Sequence, residues 1–264
     1  THKVYGAATE PDLLFTSSGT TGNDTSTHYV ADRGIYEEAF LAGFEQFYGD
    51  PTQYSIFALL PGYLERQGSS LVYMVEKLHQ KNPNKGGFYL NDLDQLAQQL
   101  EMAKANNEKI FLIGVTFAMV EFAQRYSLQL PPDAIVMETG GMKGRGRSIE
   151  REELHELLGG GFGVRKIHSE YGMTELLSQG YSSGEGIFYP SDSMIVCGRS
   201  LDNPLVIKEG RFKQNIGLNI IDTANWQSCS FIATGDYGEL YEDGGFTIKG
   251  RIEGEILRGC NMLA

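Results

Sequence analysis

The stretch that decides the fold runs from Lys109 to Met137 and reads KIFLIGVTFAMVEFAQRYSLQLPPDAIVM. Its first seven residues, Lys109 to Val115, are almost continuously apolar, as a strand buried on both faces requires. Phe117 to Tyr126 then carries apolar residues at helical spacing. Two prolines punctuate the chain, and Ala134 to Met137 reads as a second buried strand. Strand, helix, strand within thirty residues is a βαβ unit, and such units build parallel sheets.

The same alternation extends in both directions. Upstream, Tyr36, Phe40, Phe44 and Phe47 recur at helical spacing behind a capping Asp32, and Ser55 to Leu60 is strand-like. Leu71, Val75 and Leu78 mark a helix, Phe88 to Leu90 a short strand, and Leu93, Leu96 and Leu100 another helix. Downstream, Ile149 to Leu158 predicts a charged amphipathic helix and Val164 to His168 the following strand. After about Gly184 the pattern changes. Ser193 to Cys197, Leu205 to Lys208, Leu218 to Asp222, Ser230 to Thr234 and Glu239 to Tyr241 are strand candidates without long helices between them. Glu242-Asp243-Gly244-Gly245 supplies a hairpin turn before Phe246 to Lys249. The expectation is an α/β fold, with mostly parallel sheets flanked by helices over residues 1–185. A smaller β-rich subdomain and tail over residues 186–264 would belong to the same compact unit.

Composition narrows the function. The 264 residues carry a formal charge of −12, which disfavours nucleic-acid or anionic-membrane surfaces built from clustered Lys and Arg. No apolar run approaches a membrane span. The three cysteines, Cys197, Cys229 and Cys260, cannot form an even disulfide set, so reduced thiols in a cytoplasmic protein are expected. No signal peptide is legible, and the chain opens at Thr1 without an initiator Met, as a fragment would.

The first chemical motif is Thr16-Ser17-Ser18-Gly19-Thr20-Thr21-Gly22, which follows the apolar run Leu13-Leu14-Phe15. Glycines let its amides converge, and five hydroxyls surround the concavity, a donor set suited to polyphosphate. No Lys follows the second glycine, so it is not a G-x-x-x-x-G-K-[ST] loop. A Ser/Thr/Gly surface loop has the same composition. Further along stand Tyr171-Gly172-Met173-Thr174-Glu175, Thr234-Gly235-Asp236, Gly250-Arg251, Thr139-Gly140-Gly141 and Pro61-Gly62-Tyr63. Each alone is a common turn.

In this order and at these distances the motifs resemble the signatures of the adenylate-forming superfamily, which includes acyl-CoA synthetases, luciferases and peptide-synthetase adenylation domains. The resemblance implies an ATP site in which Thr16 to Gly22 holds phosphates and Glu175 holds Mg²⁺. Tyr171, Gly172 and Thr174 would line the adenine and acyl sites, with Gly140 and Gly141 turning near the adenine. Asp236 would accept from the ribose hydroxyls, and Arg251 would contact ribose or phosphate. An oxygen ligand such as Glu175 suits Mg²⁺ on general grounds as well.

Members of the family usually continue for about a hundred residues beyond the fourth signature, a small-domain length, with a catalytic Lys on that lid. Here the sequence ends at Ala264, and Gly254 stands where the hinge Asp or Lys is usual. The run Pro61 to Ser70 and the ending Arg258-Gly259-Cys260 resemble the short acyl-protein synthetases of bacterial fatty-acid reductase systems. That resemblance implies activation of a fatty acid as acyl-AMP and transfer of the acyl group to Cys260 or to a partner reductase; the alternatives are an AMP-forming acyl-CoA ligase, with CoA as acceptor, and a non-catalytic nucleotide-binding subunit. Thiolate is a competent acyl acceptor, and Arg258 would favour it. A small apolar role is equally open to any free cysteine, and Cys197 and Cys229 are expected to be structural within strands. His168 either faces the acyl pocket or is a satisfied structural histidine. His2, His28, His79 and His155 have no metal-ligand spacing, and the acidic helix from Glu150 to Glu156 is a solvated face.

Overall fold

The computed structural model describes residues 6, 10–17, 26–60, 68–89, 92–140, 149–208 and 214–252. The chain opens on a two-stranded antiparallel ribbon, β1 (Leu13–Thr16) and β2 (Thr27–Val30). Helix α1 (Arg33–Tyr48) follows, its first turn capped by Asp32, whose carboxylate accepts the Gly34 amide. Then strands and helices alternate: β3 (Tyr54–Leu59), α2 (Ser70–His79), β4 (Gly86–Phe88), α3 (Leu93–Ala105), β5 (Lys109–Gly114), α4 (Thr116–Tyr126), β6 (Ile135–Glu138), α5 (Arg151–Phe162) and β7 (His168–Tyr171). Strands β4, β3, β5, β6 and β7 lie side by side in parallel, as the apolar runs predict.

The remaining strands are antiparallel. β8 (Gly180–Ser182) and β9 (Ile187–Pro190) extend the parallel sheet beyond β7. β10 (Met194–Arg199), β11 (Ile207–Lys208), β12 (Ile216–Asp222) and β13 (Phe231–Gly238) build a second sheet. β14 (Phe246–Thr247) returns to pair with β9, and β15 (Gly250–Arg251) pairs with β13. Among the described residues one sheet therefore has eight strands in the order β14-β9-β8-β7-β6-β5-β3-β4, and the other five in the order β11-β10-β12-β13-β15.

The large core is packed by helices against the parallel strands. Phe44 of α1 meets Phe111 at 5.1 Å and Tyr54 at 6.1 Å between ring centroids, and each buried phenylalanine contributes about 2 kcal/mol through removal from water. Phe122 of α4 stacks on Phe162 of α5 at 5.5 Å. A second, smaller core joins the two sheets: Tyr171, Leu176 and Phe188 pack with Met194, Leu218, Ile220 and Phe246.

Three local expectations change. The strand expected from Val164 to His168 begins only at His168. Val164 and Ile167 are buried, but the Val164 amide caps α5 by donating to Gly159, so their apolar character serves packing, not pairing. Glu239 to Tyr241 contributes only a bridge between Leu240 and Phe246, because the Tyr241–Gly245 turn closes immediately after it. Cys229 lies in the loop before β13, where its thiol donates to the Phe231 carbonyl at 3.3 Å.

Candidate active site

Strands β1 and β2 carry the base of the hydroxyl-rich loop. Thr16 is the last residue of β1 and pairs with Thr27, and its amide donates to Gly68 at 2.8 Å. Beyond it the Ser17 amide donates to the Ser26 carbonyl at 2.9 Å, and the Ser26 amide donates back to Ser17 Oγ at 2.9 Å. These reciprocal bonds close the mouth of the loop. Ser18, Gly19, Thr20, Thr21 and Gly22 lie outside the described residues, as do Gly141, Pro61 to Tyr63 and Cys260.

The same mouth reaches the second motif. Ser26 Oγ donates to Glu175 Oε1 at 2.8 Å across 149 residues of sequence, and Asn225 Nδ2 donates to the Glu175 carbonyl at 2.7 Å. Glu175, Thr174 and Gly172 are partly exposed. Among the described residues no cluster of three or more His, Cys, Asp or Glu side chains is arranged to hold a metal. A single carboxylate beside serine hydroxyls nevertheless fits Mg²⁺, which keeps most of its waters and binds one or two carboxylates plus phosphate oxygens.

Tyr171 ends β7 and is buried. Its hydroxyl donates to Asp236 Oδ2 at 2.9 Å, while Arg251 Nη1 donates to Asp236 Oδ1 at 3.1 Å. Asp236 and Arg251 are direct cross-strand partners on β13 and β15, which is why their sequence separation is fixed by the hairpin between them. Gly235 permits the approach, because a Cβ there would clash with the Arg251 guanidinium. Asp236 is fully buried, and burial of Tyr171, with the Asp236 charge adding to it, holds the Tyr171 phenol well above its ordinary pKa.

Behind Gly140, which sits at φ +71°, the buried Glu138 accepts the Gly140 amide at 2.7 Å and the Thr116 hydroxyl at 2.9 Å. Arg151 Nη1 lies 3.5 Å and His155 Nε2 4.0 Å from its other oxygen. Burial alone would raise the Glu138 pKa, but His155, Arg151, Ser169 and the Gly140 amide outweigh it and hold it near 2. Glu138 thus sets the turn that carries Gly140. His168 is structural in its contacts: Nδ1 meets the Tyr48 hydroxyl at 3.2 Å, and burial, then Lys166 and His155, lower its pKa to about 4.

Sequence reading missed several supports. Asp222 is fully buried and accepts from the Leu177 amide at 2.7 Å, the Ser178 amide at 3.1 Å, the Ser178 hydroxyl at 2.6 Å and the Ala224 amide at 3.2 Å. Arg199, also buried, donates to the Leu218 and Thr234 carbonyls at 2.6 Å each. A charged residue closing an apolar run, as Glu138 and Asp222 both do, was the available signal.

Sequence comparison finds no matching family model and no matching curated protein. Solved structures do match. An ATP-bound RpMatB-BxBclM chimera superimposes with TM-score 0.66 at 15% identity, covering 92% of this chain and 48% of that one. McyG A-PCP complexed with phenylalanyl-adenylate gives 0.64 at 17%, covering 94% and 48%. O-succinylbenzoate coenzyme A synthetase from Bacillus subtilis, in complex with AMP, gives 0.60 at 14%, covering 93% and 64%. The chain therefore has the α/β fold of the N-terminal domain of adenylate-forming enzymes. It spans about half the length of the first two and under two thirds of the third.

Proposed function

We propose that the chain is the core of an ATP-dependent ligase that activates a carboxylic acid as acyl-AMP. The observation that carries the reading is the hydrogen-bonded chain linking the motifs: Ser26 to Glu175 on one side, and Tyr171 to Asp236 to Arg251 on the other. Residues from four separate stretches converge there on the end of β7.

The acid's carboxylate oxygen attacks the α-phosphorus of ATP, and the bond to pyrophosphate breaks as the acyl–phosphate bond forms. Thr16 to Gly22 holds the β- and γ-phosphates, Asp236 the ribose hydroxyls, and Arg251 the charge around ribose and phosphate. Tyr171, Gly172 and Thr174 line the adenine and acyl sites, while Glu138 keeps Gly140, with Gly141 beyond it, turned toward the adenine. Glu175 would hold Mg²⁺, which when bound neutralises phosphate charge. Catalysis by these residues is positioning and electrostatics. Asp236 accepts from Tyr171 on one oxygen and Arg251 on the other, and each oxygen keeps a further lone pair for a ribose hydroxyl. Asp236→Ala is accordingly expected to raise the KM for ATP at least tenfold.

By the resemblance to acyl-protein synthetases the acid is fatty, and the odd set of three cysteines supports a cytoplasmic protein. In the second half-reaction a thiolate attacks the acyl carbonyl and AMP leaves. The acceptor is Cys260, with a partner reductase or CoA as the downstream thiol. Two assays test this. Incubation with ATP and acids should yield AMP and pyrophosphate, whereas ADP and phosphate would refute adenylation. Intact-mass analysis should show acylation that Cys260→Ser removes; unchanged turnover to acyl-CoA in that variant would make CoA the direct acceptor.

Among the described residues no helix is long and apolar enough to cross a membrane.

A further inference from the structure

Glu170 and Gln179 crowd one side of Gly172, and Tyr181 lies beside them. Glu170 of β7 is the direct cross-strand neighbour of Tyr181 on β8, and Gln179 lies two residues before Tyr181, on the same side of the chain. Gln179 Oε1 and the Tyr181 hydroxyl are buried and hydrogen-bond to nothing; the two residues are 4% and 1% exposed. The Glu170 carboxyl has no hydrogen-bond or ion-pair partner among the described residues. A Cβ at Gly172 would clash with Glu170 Oε1 and lie 3.8 Å from Gln179 Cγ, so Glu170 and Gln179 flank the second residue of the Tyr171–Glu175 motif, with Tyr181 paired to Glu170 beside them. Aromatic rings of α1 close the other side: Phe47 and Tyr48 stand 5.2 and 5.4 Å from the Tyr181 ring.

An unpartnered buried polar group costs about 1–3 kcal/mol, and native proteins keep few of them. Two of them beside the partly exposed Glu170 carboxyl, next to a motif that the proposed function assigns to the substrate, call for a ligand with matching groups. We infer that Glu170, Gln179 and Tyr181 recognise a hydroxyl or amino group carried by the acid that is activated. Resting on the function proposed above, this narrows its substrate to polar-substituted acids, of fatty chain or not. Gln179 Oε1 accepts from such a group, the Tyr181 hydroxyl donates or accepts, and Glu170 adjusts its proton to the partner. Burial, with the Glu138 charge adding to it, pushes the Glu170 pKa up to about 8, so near neutral pH its carboxyl can donate to a hydroxyl or give up its proton to face an ammonium. An unsubstituted alkyl chain would leave all three unpaired, and sites built to bond a polar group reject analogues that lack it.

Hexanoate and benzoate, each compared with its ω- or para-hydroxy and amino counterpart, test the inference. Acid-dependent pyrophosphate exchange should favour a substituted acid at least tenfold in kcat/KM. Glu170→Leu should abolish or invert that ratio, and Glu170→Gln should keep the hydroxyl preference while losing the amino one. Equal rates for both kinds of acid, or a ratio untouched by Glu170→Leu, would overturn the inference and leave the groups as hosts for buried water. If no acid supports exchange, the activation reading fails, and calorimetric binding of the same acids still decides. Tighter binding of a substituted acid, lost in Glu170→Leu, supports recognition, and equal or absent binding refutes it.

Discussion

At pH 7 the Glu170 carboxyl keeps its proton, because burial and the nearby Glu138 push its pKa up to about 8. The groups facing it are Tyr36, Tyr48 and Tyr181, all held protonated by burial, with His168 two residues away on the same strand. In the unfolded chain Glu170 titrates near 4.5. Between those values the native state binds a proton that the unfolded state has released, so stability falls as pH rises. His168 works in the opposite sense over its own window: its pKa drops from 6.5 to about 4, so stability falls as pH drops from 6.5 to 4. Below pH 6.5 His168 opposes Glu170, joined by His28 and His79, which burial shifts the same way. Between pH 6.5 and 8 Glu170 acts alone, with a slope of roughly 1.4 kcal/mol per pH unit at most. Denaturant titrations across that window should show the decline in the wild type and its loss in Glu170→Gln. A decline that persists in the variant would place the proton elsewhere. None of this was legible beforehand. Glu170 precedes a recognisable motif, and only the fold shows which groups surround it.

Among the elements, α4 and α5 pack closely enough that a Cβ on Gly161 would sit 2.5 Å from the Ala123 Cβ, whereas one on Gly160 would meet nothing within 4 Å. Adjacent glycines in one helix therefore respond oppositely to alanine. Gly161→Ala should destabilise by about 1–3 kcal/mol through overpacking. Gly160→Ala should stabilise by about 0.5–1 kcal/mol, since glycine is costly inside a helix. Equilibrium unfolding of the two variants checks both signs. Elements of this kind were the most readable part of the sequence. The helices at Tyr36–Phe47, Leu71–Leu78 and Phe117–Tyr126, and the buried strands between them, follow from apolar period alone. The strands Gly180–Ser182 and Ile187–Pro190 were not seen, because three or four residues carry too little alternation to register. Val164 and Ile167 misled for the converse reason: burial in a loop leaves the same apolar signature as burial in a strand.

Across the whole molecule, the two sheets are coupled by Asp222, which closes β12 of the five-stranded sheet and receives the amides of Leu177 and Ser178 from the segment following β7. Removing the carboxylate in Asp222→Ala leaves those buried amides unpaired and should cost about 3–5 kcal/mol. Calorimetry should show a lowered Tm, and a change below about 1 kcal/mol, the scale of an ordinary surface substitution, would mean that the sheets are held by their apolar contact alone. This coupling fixes Glu175, which the sequence nominated by motif, relative to Asp236 and Arg251, which it nominated by order. Motif order named the candidates. Their convergence through Ser26, Asn225, Tyr171 and Asp222 depended on packing between distant residues, and no local pattern encodes that.

The central claim, that these residues assemble to adenylate a carboxylic acid, is tested most directly by isotope exchange between pyrophosphate and ATP in the presence of a panel of acids. The account predicts exchange that requires an acid and falls at least a hundredfold in Glu175→Gln, with a Tm close to that of the parent protein. Exchange that is absent with every acid in the folded wild type, or that survives undiminished in Glu175→Gln, would contradict it.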